Sequence, residues 1–439
     1  MFKMFVNAFK VKDIRKKIIF TFLCMIVIRL GCQIACPGMG DGVKNLIKNT
    51  DLGFLSALTG GSLEKMSIFA LNVSPYITAS IIMQLMTIAI PRLAELQKDG
   101  ETGRKKIAEI SRYLTVVLAL IEGGAMAIGF HNSGYLADNK IITIFIITAA
   151  FTAGSAFLMW LGENITERGV GNGISIILLI NIVSGMPGTF VGLYQQFVQS
   201  KPIAKAILAI VIIVVAIVVT LVLVILLQDA ERKIAVQYSK KMQGRRMVGG
   251  NSSFIPVKVN TAGVIPVIFA VSIFQFPTII ASFFGKQGQA NGTFGEKILY
   301  ACNTSHWFDV SSWSKFAFTI GALFYVAMIL FFAYFYTSIT FNPIEISNNM
   351  KKDGGFIPGI RPGKPTTDYL VKVLNNIVLI GAVGLAIVAL IPIIFGGVFK
   401  AQIGFGGTSL IIVVGVILET MKQIESQLLV RHYKGFLND

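Results

Sequence analysis

Three ionisable side chains, Arg29, Glu122 and Glu419, fall inside long apolar stretches of the chain, where a charge is costly and marks a functional candidate. Glu419 sits at the end of its stretch, within reach of an interface by snorkelling. Arg29 suits either a buried structural pair or a functional role. Carriers driven by protons or ions gather acids and polar groups near the membrane midplane, and Glu122 alone is no such cluster. The three histidines, His131, His306 and His432, lie outside the apolar stretches, and there is no HExxH, so a membrane metalloprotease is unsupported. Nor does any stretch carry GxGD, or GxSG with a partner histidine, as intramembrane proteases require. Gly359–Pro365 (GIRPGKP) misses the phosphate-loop spacing by one residue and puts proline where Ser or Thr would hold magnesium. Gly169–Gly173 (GVGNG) imitates a dinucleotide turn but follows an apolar helix, not a strand. Cys24, Cys32, Cys36 and Cys302 show no CxxC and read as small apolar packing. No catalytic residue, metal or cofactor is expected.

The elements that must position these residues are membrane spans. Of 439 residues only 14% are charged and 54% are apolar, with a mean hydropathy of +0.71; soluble domains carry about 25% charged residues. Ile207–Leu227 runs 21 residues without a formal charge, and about 20 suffice to cross the hydrocarbon. Ten apolar stretches are expected to be spans: Ile18–Cys36, Ile68–Ile90, Tyr113–Phe130, Ile141–Leu161, Ile174–Val198, Ile207–Leu227, Ala262–Phe284, Phe316–Phe341, Val373–Phe395 and Gly404–Leu418. An even count puts both termini on one side. On that side fall 28 of the 39 Lys and Arg, against 10 opposite and Arg29 within a span, the positive-inside pattern of cytoplasmic termini. The basic start before Ile18 is read as leading into a retained span, since that stretch is too long for a cleaved signal.

Some segments break the pattern of a plain bundle. Ile68–Ile90 carries Asn72 and Pro75, and Ser184–Gly188 (SGMPG) is expected to interrupt the fifth span. Leu52–Leu63 is too short to cross, rich in small residues, and reads as a re-entrant piece. Two loops on the basic side are long: 228–258, with strand-like alternation around KIAVQY that suggests a hairpin, and 342–372, whose FIPGIRPGKPT forms a shaped, non-helical turn presenting Arg361 and Lys364. A third, Pro91–Arg112, carries both signs of charge and is expected to become helical toward its end. Five spans plus five permit an inverted repeat, with halves 1–200 and 201–439.

Five stretches, GSLEKMSIFALNVSPYITASIIMQL, FLMWLGENITERGVGNGISIILL, KVNTAGVIPVIFA, FNPIEISNNMKKDGGFIPGIRPGKPT and FGGTSLIIVVGV, together resemble the SecY family of protein-conducting channels. The resemblance implies an all-α polytopic fold of ten helices in two inverted halves around an hourglass pore. It further implies SecE and SecG subunits, the SecA motor or the ribosome on the basic loops, and signal sequences, unfolded polypeptides and membrane lipid as what the pore meets. Its aliphatic constriction falls on Val73, Ile77, Ile174, Leu178, Ile268 and Ile412, and Val73/Ile77 and Ile174/Leu178 are each spaced to share a helix face. Ordinary helix packing is the competing account of those six. The plug falls on the re-entrant piece, with Leu52, Phe54, Leu55, Leu58, Gly60 and Gly61. A lateral gate between the second and seventh spans implicates Gln84, Glu122 and Asn260, and the docking loops implicate Arg245, Arg246 and Arg361. The implied function is export of unfolded preproteins through the bacterial cytoplasmic membrane and release of apolar segments into lipid. A secondary transporter for a small solute is the rival, favoured by broken helices and disfavoured by the empty midplane.

Overall fold

A helix occupies each of the ten apolar stretches in a computed structural model, which describes residues 9–39, 59–63, 65–132, 136, 140–199, 202–238, 241–243, 246–248, 252–283, 293–302, 307, 320–399 and 407–435. In chain order the helices are α1 (Lys12–Gly31), α2 (Ser74–Ala89), α3 (Pro91–Lys98), α4 (Gly100–Asn132), α5 (Ile141–Arg168), α6 (Gly173–Phe197), α7 (Ile203–Asp229), α8 (Ile265–Phe283), α9 (Phe294–Cys302), α10 (Ile320–Thr340), α11 (Pro343–Lys352), α12 (Lys364–Phe399) and α13 (Gly407–Gly435). Among the described residues six helices are long and apolar enough to cross a bilayer, and α2 and α3 make a seventh span if counted as one. Those two are bent by 106°, and the break is local chemistry. Proline disfavours helical backbone in the residue before it, and Ile90, just ahead of Pro91, is extended at φ −109° and ψ 112°. Pro91–Arg112 is thus helical nearly throughout, more than its charge pattern suggested.

The expected interruption of the fifth span does not occur. α6 runs unbroken through Ser184–Gly188 with Pro187 inside it. Pro187 has no N–H to give the Val183 carbonyl, and hydroxyl bonds brace the helix on either side of that gap: Ser184 Oγ donates to the Asn181 carbonyl at 2.8 Å and Thr189 Oγ1 to the Gly185 carbonyl at 3.3 Å.

Two of the apolar cores lie along the spans that bear on the site. One is built by α7, α8, α10, α12 and α13 around Val267, Tyr325, Ile329 and Trp307, and Ile81 of α2 packs against it. The other joins α1, α5 and α6 around Ile28, Leu158, Ile165 and Ile177, and it admits Ile412 and Val416 of α13. At the end of the bundle that carries the long basic loops, the anticipated hairpin is present. β1 (Glu231–Tyr238) pairs antiparallel with β4 (Ser252–Lys258), with Ile234 opposite Ile255. A small ribbon of β2 (Lys241–Gln243) and β3 (Arg246–Val248) lies between them in sequence, and β5 (Gly355–Phe356) joins the other edge of β1. Ile234, Val236 and Val257 are buried in one cluster with Met350 of α11, Ile357 of the proline-rich loop and Leu370 of α12. Both basic loops are therefore fixed to one platform. Lys364 belongs to that platform as the first residue of α12, so the non-helical turn ends one residue earlier than its prolines suggest.

Candidate functional site

All six aliphatics singled out in the sequence fall in a single packed cluster. Val73, Leu178 and Ile412 are buried there at 1%, 6% and 2% exposure, and Ile77, Ile174 and Ile268 pack against them. They come from α2, α6, α8 and α13, so helices far apart in the sequence meet in the second of the two cores. Local structure explains their placement. Asn72 adopts a left-handed φ of +53°, which turns the chain into α2, and Pro75 in the first turn of that helix costs no hydrogen bond. Asn172 caps α6: its Oδ1 accepts from the amides of Ile174 and Ser175 at 3.1 and 3.4 Å. A Cβ on Gly162 would lie 2.6 Å from Ile174 Cδ1, so glycine at this point of α5 lets that isoleucine pack without shifting. Replacing the cap by Asn172→Ala is expected to lower stability by about 1 kcal/mol, read as a lower thermal midpoint of the purified complex.

The GVGNG turn has a structural use. Val170 N donates to Thr21 Oγ1 of α1 at 3.1 Å, Gly171 N to Gln423 Oε1 of α13 at 2.6 Å, and Gly173 N to Thr166 Oγ1 of α5 at 2.9 Å. Those amides are spent on neighbouring helices, so the turn is a joint and not a phosphate cradle.

The seam residues are less tightly gathered. α8 packs on α4 and α10, and α2 packs on α4. Glu122 is half-buried on α4. Gln84 Oε1 and Asn260 Nδ2 are each buried without a hydrogen-bond partner in the structure, so these two atoms do not join the second and seventh spans by a bond to each other. Of the re-entrant piece, Leu52, Phe54, Leu55 and Leu58 lie outside the described residues. Gly60 and Gly61 form a turn at φ +62° and +78°. The backbone just beyond this turn is pinned to the end of α1: Cys36 N donates to the Met66 carbonyl at 2.8 Å and Ile68 N to the Ile34 carbonyl at 3.0 Å.

On the basic platform, Arg361 is exposed on a backbone held from beneath. Thr366 Oγ1, fully buried, donates to the Arg361 carbonyl at 2.8 Å, and Ser347 Oγ donates to the Gly363 carbonyl at 3.0 Å. Arg246 opens β3, and Arg245 lies outside the described residues. Among the described residues no cluster of His, Cys, Asp and Glu could hold a metal.

Sequence reasoning missed one feature, the hydrogen bonds that join Arg29, Asn181 and Asn72. Each residue is visible as a lone polar group in an apolar setting, but 152 positions separate Arg29 from Asn181 and 109 separate Asn181 from Asn72, so spacing carries no signal of their meeting.

A helical membrane bundle in which α2, α6, α8 and α13 meet in one aliphatic cluster, roofed at one end by a basic platform, has the architecture of a protein-conducting channel. Its shape agrees with two solved structures. One is of a protein-conducting channel (TM-score 0.66, 18% identity, covering 94% of this chain and 92% of that one). The other is Sec61 in a canine ribosome–channel complex from the endoplasmic reticulum (TM-score 0.62, 17% identity, 94% and 92% covered). At sequence level the SecY family matches residues 67–421. The protein translocase subunit SecY of Halalkalibacterium halodurans is 43% identical over 449 residues, covering all of both chains. This chain belongs to the SecY family.

Proposed function

We propose that this channel subunit passes unfolded preproteins across the bacterial cytoplasmic membrane and lets apolar segments leave sideways into lipid. The observation that carries the reading is the aliphatic cluster contributed by α2, α6, α8 and α13. A ring of aliphatics excludes water and ions when closed, yet makes no specific bond that would arrest a passing chain. The subunit is not an enzyme; the energy comes from the SecA ATPase or from the elongating ribosome, and no cofactor takes part. Ten spans in two inverted halves, 1–200 and 201–439, accommodate the two cores. The excess of Lys and Arg at the platform end supports cytoplasmic loops and cytoplasmic termini. The same charges suit ribosomal RNA phosphates, with Arg361, Arg245 and Arg246 as the docking residues. SecE and SecG complete the complex. The re-entrant piece Leu52–Leu63 serves as the plug. The seam lies between α2 and α8, where Ile81 meets the core of the second half, with Gln84, Glu122 and Asn260 lining it.

Reconstitution decides the matter. Vesicles holding the chain with SecE, SecG and SecA are expected to import a signal-bearing precursor in an ATP-dependent manner, and a covalent cross-link from Ile81→Cys on α2 to α8 is expected to abolish that import. Undiminished import through the cross-linked complex would remove the lateral seam. Absence of import by the unlinked complex, with uptake of a small solute instead, would favour the transporter.

A further inference from the structure

Arg29 is half-buried near the end of α1, and among the described residues no carboxylate pairs with it. Its Nη1 donates to two neutral oxygens, the Gly60 carbonyl at 3.3 Å and Asn181 Oδ1 at 3.4 Å. Asn181 Nδ2 donates in turn to Asn72 Oδ1 at 3.1 Å. Both asparagines are withdrawn from water, at 1% and 2% exposure. A guanidinium has donors only, so it fixes which end of the Asn181 amide faces it and leaves the NH2 group for Asn72. Asn72 immediately precedes Val73, and Asn181 lies one helical turn beyond Leu178 on α6. The chain of bonds therefore ends beside two members of the aliphatic ring. Its remaining contact is a tight one. A Cβ on Gly60 would lie 2.7 Å from the Asn181 carbonyl oxygen and 2.8 Å from both Arg29 Nη1 and Ser184 Oγ, whereas one on Gly61 would meet nothing within 4 Å.

We propose that Arg29 is a positioning residue of the channel seal: through Asn181 and Asn72 it holds the α2 and α6 parts of the ring in register, and it seats the Gly60 turn against α6. The inference rests on the aliphatic cluster being the seal. The bonds a guanidinium gives to carbonyl and amide oxygens are charge-assisted, and their loss is felt directly at the ring.

The test uses the full complex in vesicles, with resting ion leak measured per assembled complex. Arg29→Gln and Gly60→Ala are each expected to raise the leak about tenfold, the shift expected from losing one hydrogen bond to a charged group. Arg29→Lys should restore most of the tightness. The double variant Arg29→Gln/Asn181→Leu should leak no more than the worse single one, because both changes break one chain of bonds. Gly61→Ala shares the positive φ but not the crowding, and should leak less than Gly60→Ala. Complexes of Arg29→Gln that assemble normally and stay tight would overturn the proposal. If that variant fails to accumulate, the glycine pair decides alone, and equal leaks from Gly60→Ala and Gly61→Ala would overturn it. Ile77→Ser measured in parallel separates the two ideas: a leak there beside a tight Arg29→Gln rejects the tether and keeps the seal, and no leak from either rejects both.

Discussion

A complex carrying Ile77→Ser and Ile174→Ser is expected to conduct ions at rest at least about a hundred times more often than the parent. Both side chains pack against the cluster around Val73, Leu178 and Ile412. Hiding an isoleucine from water is worth about 1.5–3 kcal/mol, so two removals weaken the dry state by about 3 kcal/mol or more, and each 1.4 kcal/mol is a factor of about ten. Serine also supplies hydroxyls that let water wet the constriction. Single-channel recordings in planar bilayers read the effect directly. Conductance equal to the parent's, from complexes of parental composition, would reassign the six aliphatics to ordinary packing.

Reversing the charge at Arg361 is expected to stop SecA-driven export while leaving the complex whole. The side chain is exposed, and the loop beneath it is fixed by Ile357, Thr366 and Ser347, so Arg361→Glu changes the face presented and not the fold that presents it. Losing one partner of a close charge pair costs about 2 kcal/mol or more, which is at least about a thirtyfold drop in import rate, with subunit co-purification unchanged. Parental import would remove Arg361 from the docking face. Loss of the complex itself would show that the arginine supports folding.

Much of this architecture was legible because the bilayer imposes a crude code. Apolar runs such as Ile207–Leu227 announced helices, and the alternation around KIAVQY announced β1 and its hairpin. Ile90 also obeyed local chemistry, since proline dictates the backbone of the residue before it. SGMPG misled for the opposite reason: a proline costs α6 one bond, and nearby hydroxyls and the packed bundle hold the helix together, neither of which local sequence records. Motif resemblance and four-residue spacing singled out six aliphatics that do gather in one cluster. The Arg29 network was missed, because hydrogen bonds between distant helices leave no periodicity. Gln84 and Asn260 show the complementary limit. Their polarity was visible, but not whether their side chains meet.

α13 enters places where the rest of the protein is incomplete without it. Ile412 joins the aliphatic cluster, Val416 packs into the core of α1, α5 and α6, Gln423 accepts the Gly171 amide, and Ile424 lies against Ile14 and Ile18 of α1. A helix made late thus covers part of one made early. Until α13 is synthesised, Ile14 and Ile18 lack Ile424 and the aliphatic cluster lacks Ile412. Truncated products that stop before Ile412 are expected to be both leaky and unstable, a form of quality control in which a defective pore betrays itself to proteases by the same missing contacts that would have let it leak.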